Sequence, residues 1–242
     1  MRADETEAAR PTAAATLERR FNLDRRRPAA LQVYEDLRDR ILTLDLQPAE
    51  SLSRPALAAY YTVSQMPVRD AFLKLEAEGL VDVFPQSKTL VARIDVRQAR
   101  ETQFLRTALE LEIVSAIAGR GGRDAVVSRA RRLLEGQERA RDEADLALFA
   151  DLDRQFHATL YEALDQGALW DLVQARSGHI DRLRKLDLPT PGKIARVLDE
   201  HGAILAALEA GDGGAATAAV RTHLSGTLAT VDRIAAAHPH YF

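Results

Sequence analysis

A mainly α protein in two parts is predicted by three observations on the 242-residue sequence. Between residues 28 and 95, three short amphipathic patterns with a tight turn between the second and third are followed by two β-prone runs. Past Asp95, apolar residues recur only at helical spacing, in six segments. Glycine and proline clusters punctuate those segments. Together these describe an N-terminal winged helix-turn-helix with a β-hairpin wing, followed by a C-terminal all-α six-helix bundle.

Composition narrows the function classes. The chain is 46% hydrophobic and 29% charged with no long apolar run, which indicates a soluble globular protein with no membrane partner. The first twenty residues alternate charge with alanine and lack the apolar core of a secretory signal. Zero cysteines exclude disulfides and thiolate ligands and fit a cytoplasmic location. Any transition metal must then be held by His, Asp or Glu. The net charge of -3 does not itself indicate nucleic-acid binding, and residues 28–95 hold seven Lys/Arg against ten Asp/Glu. A DNA-binding reading therefore needs a basic face, with Asp39, Asp45, Glu76 and Glu78 turned elsewhere.

Residues 1–27 read as a disordered arm ending in the basic cluster Arg25-Arg26-Arg27, either a solvated tail or an arm that touches phosphates. Residues 28–95 form the expected DNA-binding unit. Leu31, Tyr34, Leu37, Ile41 and Leu42 line a first helix ending near Asp45. Ser53 is placed to cap a second helix over 54–61, and Ser64 a third over 65–78, whose buried face is Val68, Ala71, Phe72 and Leu75. Gly79 sits where a helix-terminating residue belongs. The runs Leu80–Phe84 and Thr89–Ile94 form the hairpin. The bundle's segments lie at about 96–118, 123–142, 145–164, 167–186, 193–210 and 215–237, with 238–242 as a tail.

In a helix-turn-helix, the start of the third helix meets the major groove. Ser64, Gln65, Met66 and Arg69 occupy those positions. Arg69 can read guanine bidentately, and Gln65 can read adenine or bond a phosphate. Arg54, Lys74 and Lys88 at the hairpin tip are placed for backbone contacts on double-stranded operator DNA. The run Val63-Ser64-Gln65-Met66-Pro67-Val68-Arg69-Asp70-Ala71-Phe72, followed by Leu75-Glu76-Ala77-Glu78-Gly79-Leu80-Val81, resembles the head of the GntR family of bacterial transcription regulators. That family usually has Arg at the position of Gln65, Thr at Met66, and Gly at Ala49, Thr62 and Lys88. The resemblance implies the fold and general DNA binding; operator specificity does not transfer.

Helix periodicity also places polar residues on apolar faces. Asp153 and His157 fall inside the stripe Phe149, Leu152, Phe156, Leu160. His201 lies on the stripe Ile194, Val197, Leu198, Leu205, Leu208, and His223 beside Val220, Leu224 and Leu228. One inward histidine is most often a hydrogen-bonded core residue. Three with an inward carboxylate, two of them at i, i+4, make a candidate ligand set for zinc first, with nickel or manganese as alternatives. Sequence alone leaves open whether the helices converge.

Residues 96–237 resemble the FCD-type effector domain of the FadR-like branch. Its metal-binding members share an Asp-x-x-x-His, a Glu-His and a His-Leu, matched here by Asp153 and His157, Glu200-His201 and His223-Leu224. Arg106 matches an arginine that in this family meets the effector's carboxylate, with an internal ion pair to Glu110 as the alternative. His179 and Arg182 can line the same pocket; His179 can instead be an added metal ligand and Arg182 a helix-pairing charge. The resemblance implies a homodimeric regulator, a repressor and not an enzyme, that responds to a small organic acid. A metalloregulator and an all-α metal-dependent hydrolase are the alternatives.

Overall fold

The computed structural model describes residues 21–85 and 87–242, and its described residues divide into two compact units. One runs to Ile94 and includes His238–Phe242; the other is Asp95–Ala237.

The first unit packs α1 (Ala29–Leu42), α2 (Arg54–Tyr61) and α3 (Gln65–Ala77) against a hairpin of β1 (Val81–Phe84) and β2 (Lys88–Val91). Its core draws Leu37 and Ile41 from α1, Leu57 from α2, and Val68, Ala71, Phe72 and Leu75 from α3, as the apolar spacing requires. Ser53 caps α2 by accepting from Ala56 N at 3.4 Å. Ser64 stands at the start of α3, but its side chain makes no capping bond, contrary to expectation. The hairpin pairs Val81 with Val91 and Phe84 with Lys88. It is shorter than the two predicted runs because Ala92 N turns to Leu80 O, while Glu50–Leu52 bond the free side of β2.

Both ends of this unit differ from expectation. The first twenty residues of the expected arm lie outside the described residues. From Phe21 the chain instead packs on the head, with Phe21 edge-on to Tyr61 at 5.6 Å and the Gln32 amide bonding Asp24 O and Arg27 O. The expected tail is a short 3-10 turn, Pro239–Tyr241. Ile94 N donates to Tyr241 O at 2.7 Å and Arg93 to Phe242 O at 2.6 Å.

The second unit is helical throughout: α4 (Val96–Gly119), α5 (Asp124–Asp142), α6 (Leu146–Glu162), α7 (Gly167–Arg176), α8 (Gly178–Asp187), α9 (Lys193–Ala210), α10 (Gly213–Ser225) and α11 (Val231–Ala237). Asp95, Asp145 and Asp212 cap α4, α6 and α10 through backbone N–H groups one turn in. Two of the six predicted helices are interrupted. Segment 167–186 breaks at Ser177, whose hydroxyl bonds Val173 O and whose N–H closes a tight turn to Gln174 O. Segment 215–237 breaks around a 3-10 turn at Leu228–Thr230. The pairs α4–α10, α5–α6 and α9–α10 carry most of the packing. At Gly136 a Cβ would stand 3.1 Å from Leu152, so glycine sets the close approach of α5 to α6.

Ala49 and Thr62, where the resembled family carries glycine, adopt φ of 67° and 57°. The left-handed region strains a β-branched residue most. Thr62→Gly is therefore expected to stabilise the first unit by about 0.5–1 kcal/mol, strain relief exceeding glycine's entropic cost. Urea unfolding followed by circular dichroism checks this. Fluorescence of the single tryptophan, Trp170 in the second unit, is expected to keep its midpoint.

Candidate metal centre and DNA-binding face

The four polar residues predicted to face inward come together. One ligand atom from each of Asp153, His157, His201 and His223 lies within 4.8 Å of the others. Asp153 and His157 stand one turn apart on α6, His201 on α9 and His223 on α10. His157 and His201 are fully buried. The Phe156 ring stacks on His201 at 4.1 Å and fixes its plane.

Second partners set the orientation of each imidazole. Nδ1 of His157 meets Glu110 Oε2 at 2.8 Å, Nδ1 of His201 meets Gln137 Oε1 at 2.8 Å, and Nδ1 of His223 meets Glu200 Oε2 at 3.0 Å. Each Nδ1 therefore carries the proton and donates, which leaves a lone pair on each Nε2. Those lone pairs converge: His157 Nε2 is 3.1 Å and His201 Nε2 3.3 Å from His223 Nε2, and Asp153 Oδ1 is 3.5 Å from His201 Nε2. Two nitrogens each about 2.0–2.1 Å from one zinc ion stand roughly 2.8–3.4 Å apart at right or tetrahedral angles. The donor set and its spacing fit a divalent transition ion. Without a cation, adjoining lone pairs repel.

Burial pushes the histidines down, His201 to about 3 and His223 to about 4, with His157 also well below its usual value. Burial alone would raise the Asp153 carboxyl, but the surrounding imidazoles and Arg184 outweigh it and keep it ionised. Neutral imidazoles and a carboxylate are the protonation states a metal requires.

Arg106 is 1% exposed and its Nε bonds Glu110 Oε1 at 2.5 Å, the internal pair that sequence allowed as its alternative. Its Nη2 has no partner. His179 and Arg182 are engaged outside the cluster. His179 Nδ1 accepts from Asp95 N and meets Arg182 Nη2, each at 2.9 Å, and Arg182 Nε reaches Gly178 O. Sequence reasoning passed over Gln137 and Arg184. Gln137 follows Gly136 at the α5–α6 contact. Arg184, two residues beyond Arg182, acts electrostatically on Asp153 and His223.

In the head, Arg54, Ser64, Gln65, Met66, Arg69, Lys74 and Lys88 are all exposed. The Lys74 ammonium sits 5.3 Å over Tyr34 and that of Lys88 5.6 Å over Phe84. Of the head's acidic side chains, Glu78 accepts from Tyr34 and Arg38, and Asp36 from Tyr61 and Arg40, whereas Asp39, Asp45 and Glu76 are exposed.

Comparison with known proteins places this geometry. Residues 29–91 match the bacterial regulatory proteins of the gntR family, and residues 101–226 match the FCD domain. The chain is 38% identical to an HTH-type transcriptional regulator from an unstable DNA locus of Streptomyces ambofaciens, covering 87% of this chain and 88% of that one. It is 30% identical to the HTH-type transcriptional repressor RspR of Escherichia coli K12, covering 89% and 94%. Two solved structures share the fold. E. coli McbR/YncC has a TM-score of 0.70 at 23% identity, covering 86% of this chain and 98% of that one. A Rhodococcus regulator has a TM-score of 0.71 at 22% identity, covering 84% and 97%. Among the described residues no helix is long and apolar enough to cross a membrane. The chain belongs to the GntR family of bacterial transcription regulators, with a helix-turn-helix head and an FCD domain, and is not an enzyme.

Proposed function

We propose that this regulator is a cytoplasmic, homodimeric repressor whose FCD domain holds a divalent transition metal, zinc first, and a small carboxylic acid. The observation that carries the reading is the convergence of three histidine Nε2 lone pairs, each fixed by an oxygen on its Nδ1. Asp153, His157, His201 and His223 would hold the ion, which supplies a positive centre for an anion. Arg106 presents its partnerless Nη2, and Arg184 adds a second guanidinium; both attract a carboxylate. A second copy against α4 would cover Phe104, which is 78% exposed. A relative named as a repressor supports the direction of regulation. Ligation would bias the placement of the two heads of the dimer, whose recognition helices must match half-sites about one helical turn apart.

DNA affinity, metal content and the pH dependence of stability test this reading. With an operator selected from random DNA by the wild-type protein, Arg69→Ala is expected to weaken binding by about 1–3 kcal/mol, roughly 5- to 150-fold, with the dimer intact. Unchanged affinity in a gel-shift titration would remove Arg69 from the interface.

His201→Ala is expected to lower zinc content by elemental analysis. Gln137→Leu is expected to retain the stoichiometry and lose about 10- to 100-fold in affinity, as loss of an orienting partner does. If added zinc alone releases DNA, the ion is the signal and the acid-sensor reading fails.

Because the histidines are neutral when folded, with pKa values below the unfolded value near 6.5, the unfolded chain gains protons first as pH falls. Their stabilising contribution is full above about pH 6.5 and is lost on acidification toward the folded values. Metal-free protein is expected to lose about 1.4 kcal/mol per pH unit per fully titrating histidine between pH 6 and 4. His201→Ala is expected to flatten that slope, read from urea midpoints.

A further inference from the structure

A cleft of about 310 Å³ opens between the α4–α5 turn and the carboxyl end of α6, and none of the four cluster residues lines it. Its charge is one-sided. Arg120, Arg123 and Arg129 line it with a single acidic residue, Glu162, although the chain as a whole has a net charge of -3. Glu162 is committed to Arg129, whose Nη1 lies 2.5 Å from its Oε2. The other two guanidiniums meet only main-chain carbonyls, at the long end of hydrogen bonding. Arg120 Nη1 donates to Ala163 O at 3.4 Å. Arg123 donates to Arg120 O at 3.3 Å and to Glu209 O at 3.4 Å.

The local sequence seats these cations. Gly119-Arg120-Gly121-Gly122 closes α4, and Gly122 takes a φ of 80° as the chain turns into α5. Gly211 leaves room for the Arg123 guanidinium, since a Cβ there would stand 3.0 Å from Nη2. A guanidinium has more N–H donors than these bonds use, so both arginines keep donors with no acceptor among the described residues. Ile117, Val126 and Leu164 complete the wall with apolar surface.

We propose that this cleft is a second ligand site, one that takes a phosphomonoester with a short carbon body. Charge selects the head group. Three guanidiniums against one carboxylate leave two positive charges, which match the roughly -1.5 to -2 of a phosphomonoester at pH 7. Arg120 and Arg123 belong to one turn, so charge concentrated on one group suits them better than charge spread over two carboxylates. The oxygens of one phosphate can accept from both forks at once. The volume lies at the small end of ligand pockets and leaves space for a few carbons against the apolar wall. This site depends on neither the metal nor the acid proposed above.

Full-length protein is titrated calorimetrically with propyl phosphate, inorganic phosphate, malonate and propanol. The wild type is expected to bind propyl phosphate more tightly than inorganic phosphate, about tenfold or more tighter than malonate, and propanol not at all. Arg120→Gln alters an exposed side chain that makes one long bond. It is expected to keep the wild-type melting temperature and to lose about tenfold or more in affinity for propyl phosphate. His201→Ala, which disables the histidine cluster, is expected to bind propyl phosphate as the wild type does. No binding by the wild type, unchanged affinity in Arg120→Gln, or lost binding in His201→Ala overturns the site. Malonate or inorganic phosphate binding as tightly as propyl phosphate overturns the ligand class.

Discussion

Glu110 is a fully buried carboxylate held between Arg106 on its own helix and His157 on α6. A buried ion pair rarely adds net stability, because desolvating two charges offsets most of their attraction. Its value here is positional. One oxygen is committed to Arg106, and the other accepts the His157 Nδ1 proton, which fixes the ring and leaves Nε2 as an acceptor. Gln137 and Glu200 impose the same constraint on His201 and His223. The cluster exists because three separate helices each bring an oxygen to the back of an imidazole. Close approach at Gly136, next to Gln137, and the stack of Phe156 both serve one of these rings, His201.

Part of this was legible from sequence because helix periodicity is local. Asp153 and His157 sit four apart in the stripe of Phe149, Phe156 and Leu160, and His201 and His223 sit in stripes of their own, so their inward aim follows without knowing the neighbouring helix. The inner face of α4 was harder to read. Thr102, Gln103, Arg106 and Glu110 occupy it beside Ala99, Ile113, Val114, Ile117 and Ala118, so four of the nine buried residues are polar and the apolar pattern fades beside the candidate site. Arg184 was passed over although it stands four residues after Ile180, on the same stripe. Arg182, singled out instead, bonds Gly178 and His179. The break at Ser177 has no proline or strong breaker before it. It depends on a hydroxyl bond back to Val173 and on packing that no single-helix pattern contains. The return of Tyr241 to Ile94 spans too much chain for any local signal.

The head makes a different use of local rules. Family-typical glycines are replaced at Ala49 and Thr62, yet the backbone keeps the left-handed turns those glycines serve, so the fold tolerates strain to preserve the turn before α2 and the link between α2 and α3. Lys88 behaves otherwise. It closes the last rung of the hairpin opposite Phe84 and lays its ammonium over that ring, so the lysine is accommodated in the wing as an ordinary strand residue. A substitution away from the family pattern thus strains the chain at one site and is absorbed by packing at another, and only φ tells them apart.

The same separation of roles decides between a sensor and a catalyst at the cluster. Metal-assisted hydrolysis needs a base within reach of a bound water. The nearby carboxylates are already assigned. Glu110 and Glu200 accept histidine protons, and Asp153 faces the Nε2 convergence while the surrounding imidazoles and Arg184 hold its pKa low. A base with so low a pKa accepts protons poorly near neutrality. Among the described residues, Arg106 Nη2 and the Tyr161 hydroxyl have no hydrogen-bond partner, while Arg184 pairs with Asp181 at 3.4 Å. Donors without partners beside four converging ligand atoms suit the proposed anion better than a proton-transfer reaction, and an anion held there is what the proposed sensing role requires.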